Sequence, residues 1–152
     1  MRIAALRERI EGERRVAITP ESARQLVDAG LVVTIESGAG AESGYADAAY
    51  QAAGAEVAAS VALGTVDVLA HVRPLTVETI GALKTDTITV GLASAASELA
   101  AVRALRDARI TSFALELVPR ISRAQSMDAL TSQSLVTGYR SVLEASMRFP
   151  RF

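Results

Sequence analysis

The sequence predicts an α/β fold in which a mainly parallel β-sheet is covered by helices on both faces. Segments typical of strands alternate with segments typical of helices at intervals of about 10–15 residues, which is the spacing of βαβ units. The apolar runs Leu31–Ile35 and Val66–Val72 are rich in β-branched residues and lack strict alternation, which indicates strands buried on both faces. A chain of 152 residues can form a domain with a substantial core.

The first half of the chain supplies three predicted strands and two predicted helices. Thr19 can cap a helix with Pro20 at its first position, and Gly30 can end that helix because glycine accepts the left-handed conformation. The next helix runs from about Asp47 to Ala53. The predicted strands of this half are Ile3–Leu6, Leu31–Ile35 and Glu56–Val57.

The second half continues the alternation. A helix starts near Thr76 and extends to about Leu83, and Ser97–Ala108 is a second helix with an apolar inner face. Pro119 ends strand pairing because it has no N–H to donate. Ser122–Gln125 fits a capping box that opens the longest predicted helix. The strands here are Val66–Val72, Thr87–Leu92 and Ile110–Leu117, which completes a flavodoxin/Rossmann-like three-layer arrangement.

Composition excludes several classes of function. Half of the residues are hydrophobic but only 4% are aromatic, so the core must consist of Ala, Val, Leu and Ile. Sixteen basic and seventeen acidic residues give a net charge of −1, which argues against a nucleic-acid or anionic-membrane surface. Without cysteine and with His71 as the single histidine, we expect no disulfide and no metal site. The sequence contains no membrane span or signal peptide, so we expect a soluble, cytoplasmic chain.

One glycine-rich segment resembles a dinucleotide-binding loop, but its spacing is wrong. Gly38, Gly40 and Gly44 follow a predicted strand, but the third glycine is one position late. Residues 45–47 also intervene before the next helix, so no helix N-terminus would meet a pyrophosphate there. We therefore interpret the segment as a tight glycine loop.

The candidate site lies between the last predicted strand and the longest predicted helix. Arg120, Gln125 and Asp128 occupy this junction, and open α/β sheets bind ligands at the carboxyl ends of their strands. The residues alone leave a structural interpretation open. Gln125 can act only as a cap, Arg120 can be solvated, and Asp128 can complement the positive end of the helix dipole.

The run VPRISRAQSMDALTSQ, Val118–Gln133, resembles the "RQD loop" in the alpha subunit (domain I) of proton-translocating NAD(P) transhydrogenases. In that family an arginine, a glutamine and an aspartate line the NAD(H) site, and Arg120, Gln125 and Asp128 match them in type and spacing. Thr131 stands where the family usually has serine and keeps a hydroxyl. The segment Glu13–Pro20 is similar to a motif that transhydrogenases share with alanine dehydrogenases.

This resemblance implies a larger molecule. Residues 1–125 would be the N-terminal domain, and residues 126–152 would start a connecting helix that leads to a missing Rossmann domain. The complete subunit would bind NAD(H), form a homodimer, and exchange hydride with NADP(H) on a partner domain in a Re/Si-specific reaction. A membrane subunit would couple this exchange to proton movement, so the chain would be cytoplasmic and peripheral to the inner membrane. The fragment alone is expected to be inactive.

Two alternatives remain at this stage. Alanine dehydrogenases use an arginine, a lysine and a histidine on the keto acid, and the corresponding positions here are Arg15, His71 and Leu92. Leucine cannot polarise or protonate a carbonyl, so Arg15 and His71 would be at most a vestigial substrate site. His71 is better interpreted as a satisfied histidine at a strand end. The other alternative is a non-catalytic, flavodoxin-like binding module.

Overall fold

The computed structural model describes residues 1–150 and divides the chain into two compact units, Met1–Ala114 and Leu115–Phe152. The predicted segment 126–152 therefore ends with two residues, Arg151 and Phe152, that lie outside the described residues. The two units are described separately below.

The first unit contains a parallel β-sheet. Among the described residues it has six strands in the order β3-β2-β1-β4-β5-β6, and each adjacent pair is parallel. The strands are β1 Arg2–Ala5, β2 Val32–Glu36, β3 Glu56–Ala58, β4 Val68–His71, β5 Ile88–Gly91 and β6 Thr111–Ala114. The predicted sheet class is confirmed. The strands after β1 are added first on one side of it and then on the other, so the strand order switches between β1 and β4.

Four helices connect these strands in the described part of the first unit. They are α1 Pro20–Asp28, α2 Asp47–Ala52, α3 Val77–Ala82 and α4 Leu99–Asp107. The predicted start and end of α1 are confirmed, because the Thr19 hydroxyl accepts a hydrogen bond from the Ser22 amide at 3.2 Å and Gly30 has a φ of 83°. The short helix α3 is capped in the same way by Thr76.

Helices cover both faces of the sheet, as predicted. Alternate residues of β1 point to opposite faces, so Ile3 and Ala5 join one core cluster while Ala4 joins the other. The first cluster includes residues of α1 and α2, and the second includes residues of α3 and α4. Both clusters consist almost entirely of aliphatic side chains, which agrees with the low aromatic content.

Tyr50 is the aromatic exception in this core. Its ring is fully buried, and its hydroxyl donates a hydrogen bond to the Ile18 carbonyl at 2.9 Å. Gly40 leaves room for the ring, because a Cβ at that position would lie 2.7 Å from the Tyr50 hydroxyl oxygen. Burial raises the pKa of Tyr50 to about 12, and the nearby Tyr45 and Asp47 contribute in the same direction.

Tyr50 should therefore make the fold sensitive to alkali. An unfolded tyrosine has a pKa of about 10, so between that value and about 12 the unfolded state loses a proton that the folded state retains. The contribution of Tyr50 to the free energy of unfolding should be fully present below pH 10 and should be lost as the pH rises towards 12. Urea midpoints measured at pH 8 and pH 11 test this expectation. The midpoint should fall less between the two pH values in Tyr50→Phe than in wild type. In Tyr139→Phe, which changes an exposed tyrosine, it should fall as much as in wild type. An equal fall in all three proteins would contradict the expectation.

The second unit departs from the prediction at two places. The last strand ends at Ala114 rather than Leu117, and Leu115–Leu117 forms a 3₁₀ turn. The predicted capping box at Ser122 does not form, because Ser122–Met127 is a 3₁₀ segment whose preceding residue makes no side-chain cap. The long helix α5 instead spans Ala129–Arg148 and is capped by Asp128. A carboxylate can cap a helix as a serine hydroxyl does, and it also complements the positive end of the helix dipole.

The helix α5 is amphipathic without burying its apolar residues. None of its described residues is buried. Leu130 is half-buried, and six other large apolar side chains of α5 are exposed: Leu135, Val136, Tyr139, Val142, Leu143 and Met147. Glu144 forms ion pairs one helical turn away on each side, at 2.5 Å from Arg140 and 3.8 Å from Arg148. Among residues 1–150, no helix has both the length and the apolar content that crossing a membrane requires.

Candidate functional site

The residues that open α5 surround one cavity of about 300 Å³ in the second unit. Its polar lining includes all four residues that the sequence nominated for cofactor binding, namely Arg120, Gln125, Asp128 and Thr131. Pro119, Ile121, Ser122 and Ala124 complete the wall. The four candidates, which span twelve positions in sequence, are thus brought together in space.

The backbone between Pro119 and Met127 builds this cavity. The Ile121 amide donates to the Pro119 carbonyl at 2.9 Å, and the Ala124 amide donates to the Ile121 carbonyl at 2.9 Å. Ala124 is buried, whereas its neighbours in the 3₁₀ segment are exposed. The small buried side chain anchors the segment and leaves the longer polar side chains, including Gln125, on its surface.

Asp128 is held by Thr131. The Oδ1 atom accepts a hydrogen bond from the Thr131 amide at 2.9 Å, and the Oδ2 atom accepts one from the Thr131 hydroxyl at 2.6 Å. These two bonds, the hydroxyl bond foremost, lower the pKa of Asp128, and the positive charge of Arg120 contributes in the same direction. Asp128 is therefore an ionised acceptor at neutral pH and a poor general base.

The polar lining of the cavity contains both hydrogen-bond donors and hydrogen-bond acceptors. The Arg120 guanidinium can only donate hydrogen bonds, the Asp128 carboxylate can only accept them, and the Gln125 amide can do both. Such a set complements a ligand group that presents an acceptor and a donor next to each other, such as a primary amide or a sugar diol. None of these three side chains is an activated nucleophile, so the arrangement is suited to binding and orientation.

The sequence assigned Asp128 to the cavity but did not identify it as the cap of α5. A carboxylate three residues before a residue with a free amide is a common N-cap pattern, and Asp128–Thr131 has this spacing. The prediction placed the start of the helix at the capping-box pattern of Ser122–Gln125 instead. The contact between Thr131 and Asp128 was missed for the same reason.

Arg15 lies elsewhere, in the first unit, and its guanidinium is paired with Glu13. The Nε and Nη2 atoms donate to the two carboxylate oxygens at 2.7 and 2.6 Å, and the Arg15 amide adds a third bond at 3.0 Å. The side-chain bond to Arg15 lowers the pKa of Glu13, and the same pair raises the pKa of Arg15. A carboxylate of the chain itself thus occupies the bidentate edge that would clamp a keto acid.

His71 ends β4 and is buried, with its Nδ1 atom 2.8 Å from the Arg73 carbonyl oxygen. It lines a crevice of about 130 Å³ at the carboxyl ends of β1 and β4, where the strand order switches from one side of β1 to the other. Glu8 joins the two strand ends, since its carboxylate accepts from the amides of Val72 at 2.7 Å and Arg73 at 3.3 Å. Arg15 is not among the residues that line this crevice, so the crevice does not bring Arg15 and His71 together.

A family model described as "Alanine dehydrogenase/PNT, N-terminal domain" matches residues 4–137. A chain of the NAD(P) transhydrogenase alpha subunit of Rhodospirillum rubrum is 43% identical over 158 aligned positions, which cover 99% of this chain and 41% of that protein. The present chain therefore spans less than half the length of this relative.

Solved structures allow the chain to be compared with a transhydrogenase and with an alanine dehydrogenase. The transhydrogenase from Sinorhizobium meliloti superposes with a TM-score of 0.94 at 34% identity, covering 99% of this chain and 46% of that one. An L-alanine dehydrogenase superposes with a TM-score of 0.72 at 29% identity, covering 76% of this chain and 32% of that one. The similarity to the transhydrogenase is higher and extends over more of the chain.

Proposed function

The chain belongs to the alanine dehydrogenase/PNT N-terminal domain family, and from this premise we propose that it supplies the nicotinamide wall of the NAD(H) site in a transhydrogenase alpha subunit. The observation that carries this proposal is the single cavity shared by Arg120, Gln125, Asp128 and Thr131. The greater similarity to transhydrogenases than to an alanine dehydrogenase supports it.

The donors and acceptors that line the cavity suit the carboxamide and the adjacent ribose of a nicotinamide nucleotide. Arg120 would donate to the carboxamide oxygen, and Asp128 would accept from the carboxamide N–H or from a ribose hydroxyl. Gln125, which both donates and accepts, would contact either group. When bound, the nicotinamide ring itself supplies the hydride chemistry. The residues of this chain would orient the ring and exclude water, which requires no strong protein acid or base.

The larger assembly belongs to the same proposal. The rest of the subunit would supply a Rossmann half with a glycine-rich loop for the pyrophosphate, and two copies of the complete subunit would pair. NADP(H) would lie on a partner domain, and a membrane subunit would link the Re/Si-specific hydride exchange to proton movement. The subunit would then sit at the cytoplasmic side of the inner membrane through these partners. The present chain alone would bind NAD(H) weakly and catalyse no transfer.

Alanine dehydrogenase activity is the less favoured function for this chain. Leu92 stands where an acid would protonate the keto acid, and the bidentate edge of Arg15 is occupied by Glu13. A guanidinium that is already paired offers little to a second carboxylate.

The proposal can be tested by titrating the chain with NADH and following its backbone amides by NMR, which detects weak binding. We expect the largest shifts in residues 120–131, and we expect Arg120→Ala to weaken binding about tenfold, as a lost charge-assisted hydrogen bond would. Arg123→Ala is the matched control, because Arg123 is a neighbouring arginine that does not line the cavity. Equal weakening by both substitutions, or shifts confined to the first unit, would refute the proposal.

A further inference from the structure

A small cavity lies between α4 and the strands β5 and β6, and its wall contains one fully buried hydroxyl. Thr89 of β5 is completely shielded from solvent, and its Oγ1 atom makes no hydrogen bond to any described residue. Thr87, which is equally buried, donates its hydroxyl to the Val66 carbonyl at 3.1 Å. Buried polar atoms in folded proteins nearly always have a partner, because an unsatisfied hydroxyl costs free energy. The Thr89 hydroxyl therefore indicates a partner that the described residues do not supply.

The cavity beside this hydroxyl has the size of a single water molecule. Its volume is about 10 Å³, which is near the lower limit of about 10–15 Å³ for a cavity that holds one water. Ala101, Val102 and Leu105 of α4 form its apolar wall, and His71 and Ser112 add polar side chains. A larger ligand does not fit this volume, so water is the chemical species that the cavity can accept.

Ser112 of β6 offers the second polar contact that a bound water requires. It pairs directly with Thr89 in the parallel ladder, so both side chains project from the same face of the sheet. Adjacent strands lie about 4.8 Å apart, a separation that one water can bridge between two hydroxyls. Ser112 is exposed on the edge strand, which gives water a route into the cavity.

From this geometry we propose that one water molecule is bound in the cavity and bridges the hydroxyls of Thr89 and Ser112. The water accepts a hydrogen bond from Thr89 and donates one to the Ser112 oxygen, so β5 and the edge strand β6 are joined through side chains as well as through the ladder. His71 lines both this cavity and the crevice at the carboxyl ends of β1 and β4, so the water lies one side chain behind the wall of that crevice. This site does not depend on the proposed function.

Oxygen-17 magnetic relaxation dispersion can count the bound water, because it detects long-lived internal waters and does not respond to hydroxyl protons. Thr89→Val keeps the shape of the side chain and removes its hydroxyl, so the count should fall by one relative to wild type. Thr87→Val is the matched control, because the Thr87 hydroxyl is bonded to the Val66 carbonyl rather than to water. Its count should equal that of wild type. Equal counts in wild type and Thr89→Val would overturn the proposal.

Urea denaturation of the same variants gives an independent result, because its sign depends on whether the cavity holds water. If a water satisfies Thr89, the valine substitution removes a hydrogen bond, and the midpoint should fall as it does in Thr87→Val. If the cavity is dry, valine replaces an unsatisfied hydroxyl with a methyl group of similar shape. A midpoint of Thr89→Val that is unchanged or raised would therefore overturn the proposal.

Ser112→Ala tests the bridge to β6. This variant keeps the Thr89 hydroxyl but removes the second contact, so the residence time of the water should shorten about five- to tenfold, as the loss of one hydrogen bond predicts. An unchanged residence time in Ser112→Ala would overturn the bridge between the two strands.

Discussion

Hydride transfer is expected to fall about a hundredfold when Gln125 or Asp128 is replaced by asparagine in the complete subunit, while NADH affinity changes by less than about tenfold. Displacing a reacting carbon by about 1 Å can cost on the order of a hundredfold in rate. Losing one hydrogen bond costs roughly 1 kcal/mol, because water competes for the same groups. Most of the binding energy would come from the pyrophosphate and the glycine-rich loop of the Rossmann half.

The measurement is single-turnover transfer between NADH and a bound NADP analogue, with each variant subunit reassembled with its partner domain. Asparagine keeps the cap at position 128, so α5 should remain intact. Arg123→Gln provides a control that alters an exposed residue outside the cavity lining. Normal transfer accompanied only by a weaker NADH dissociation constant would refute the positioning role. If neither the transfer rate nor the NADH dissociation constant changes, Gln125 and Asp128 have purely structural roles.

Replacing Gly91 with alanine should produce the largest loss of stability in the first unit. Gly91 ends β5 directly beside His71 of β4. An added methyl carbon would collide with the His71 carbonyl oxygen and would lie 2.6 Å from its Nδ1 atom. Because the carbonyl belongs to a paired strand, the clash can be relieved only by moving the backbone. We expect a loss of about 3 kcal/mol or more, at the upper end for overpacked positions.

Urea denaturation, followed through the ring signals of Tyr50, measures this loss in the first unit. Gly138→Ala, followed by the circular dichroism of the helices, is the opposite control, because Gly138 lies inside α5 of the second unit and a Cβ there would meet nothing within 4 Å among the described residues. That substitution should stabilise its helix by about 0.5–1 kcal/mol, since alanine loses less backbone entropy than glycine. A wild-type midpoint for Gly91→Ala would show that the strand ends can separate at little cost.

Local chemistry made much of the fold predictable. Thr19, Pro20 and Gly30 specify where α1 begins and ends, and β-branched runs identify the buried strands. The strand order could not be read in the same way, because it depends on pairings between distant segments such as β1 with β4. The sequence offers no short-range signal for those pairings.

The candidate site residues were nominated on a different basis. Arg120, Gln125, Asp128 and Thr131 were nominated by a long motif, and the structure places them around one cavity. The predicted start of α5 was wrong because two capping patterns compete within seven residues, and Asp128 rather than Ser122 makes the cap. The partner of Arg15 was equally unreadable, since the loop of residues 7–14 offers three acidic side chains and only the folded loop selects Glu13.

The exposed apolar side of α5 also affects the solubility of the chain and its dependence on pH. A protein with a net charge of −1 and an isoelectric point near 5.9 has little electrostatic repulsion between its copies in mildly acidic buffer. Apolar side chains exposed along a helix of twenty residues then provide adhesive surface that charge does not oppose. Solubility should accordingly pass through a minimum close to pH 6 and recover as the pH is raised and carboxylates outnumber the cations.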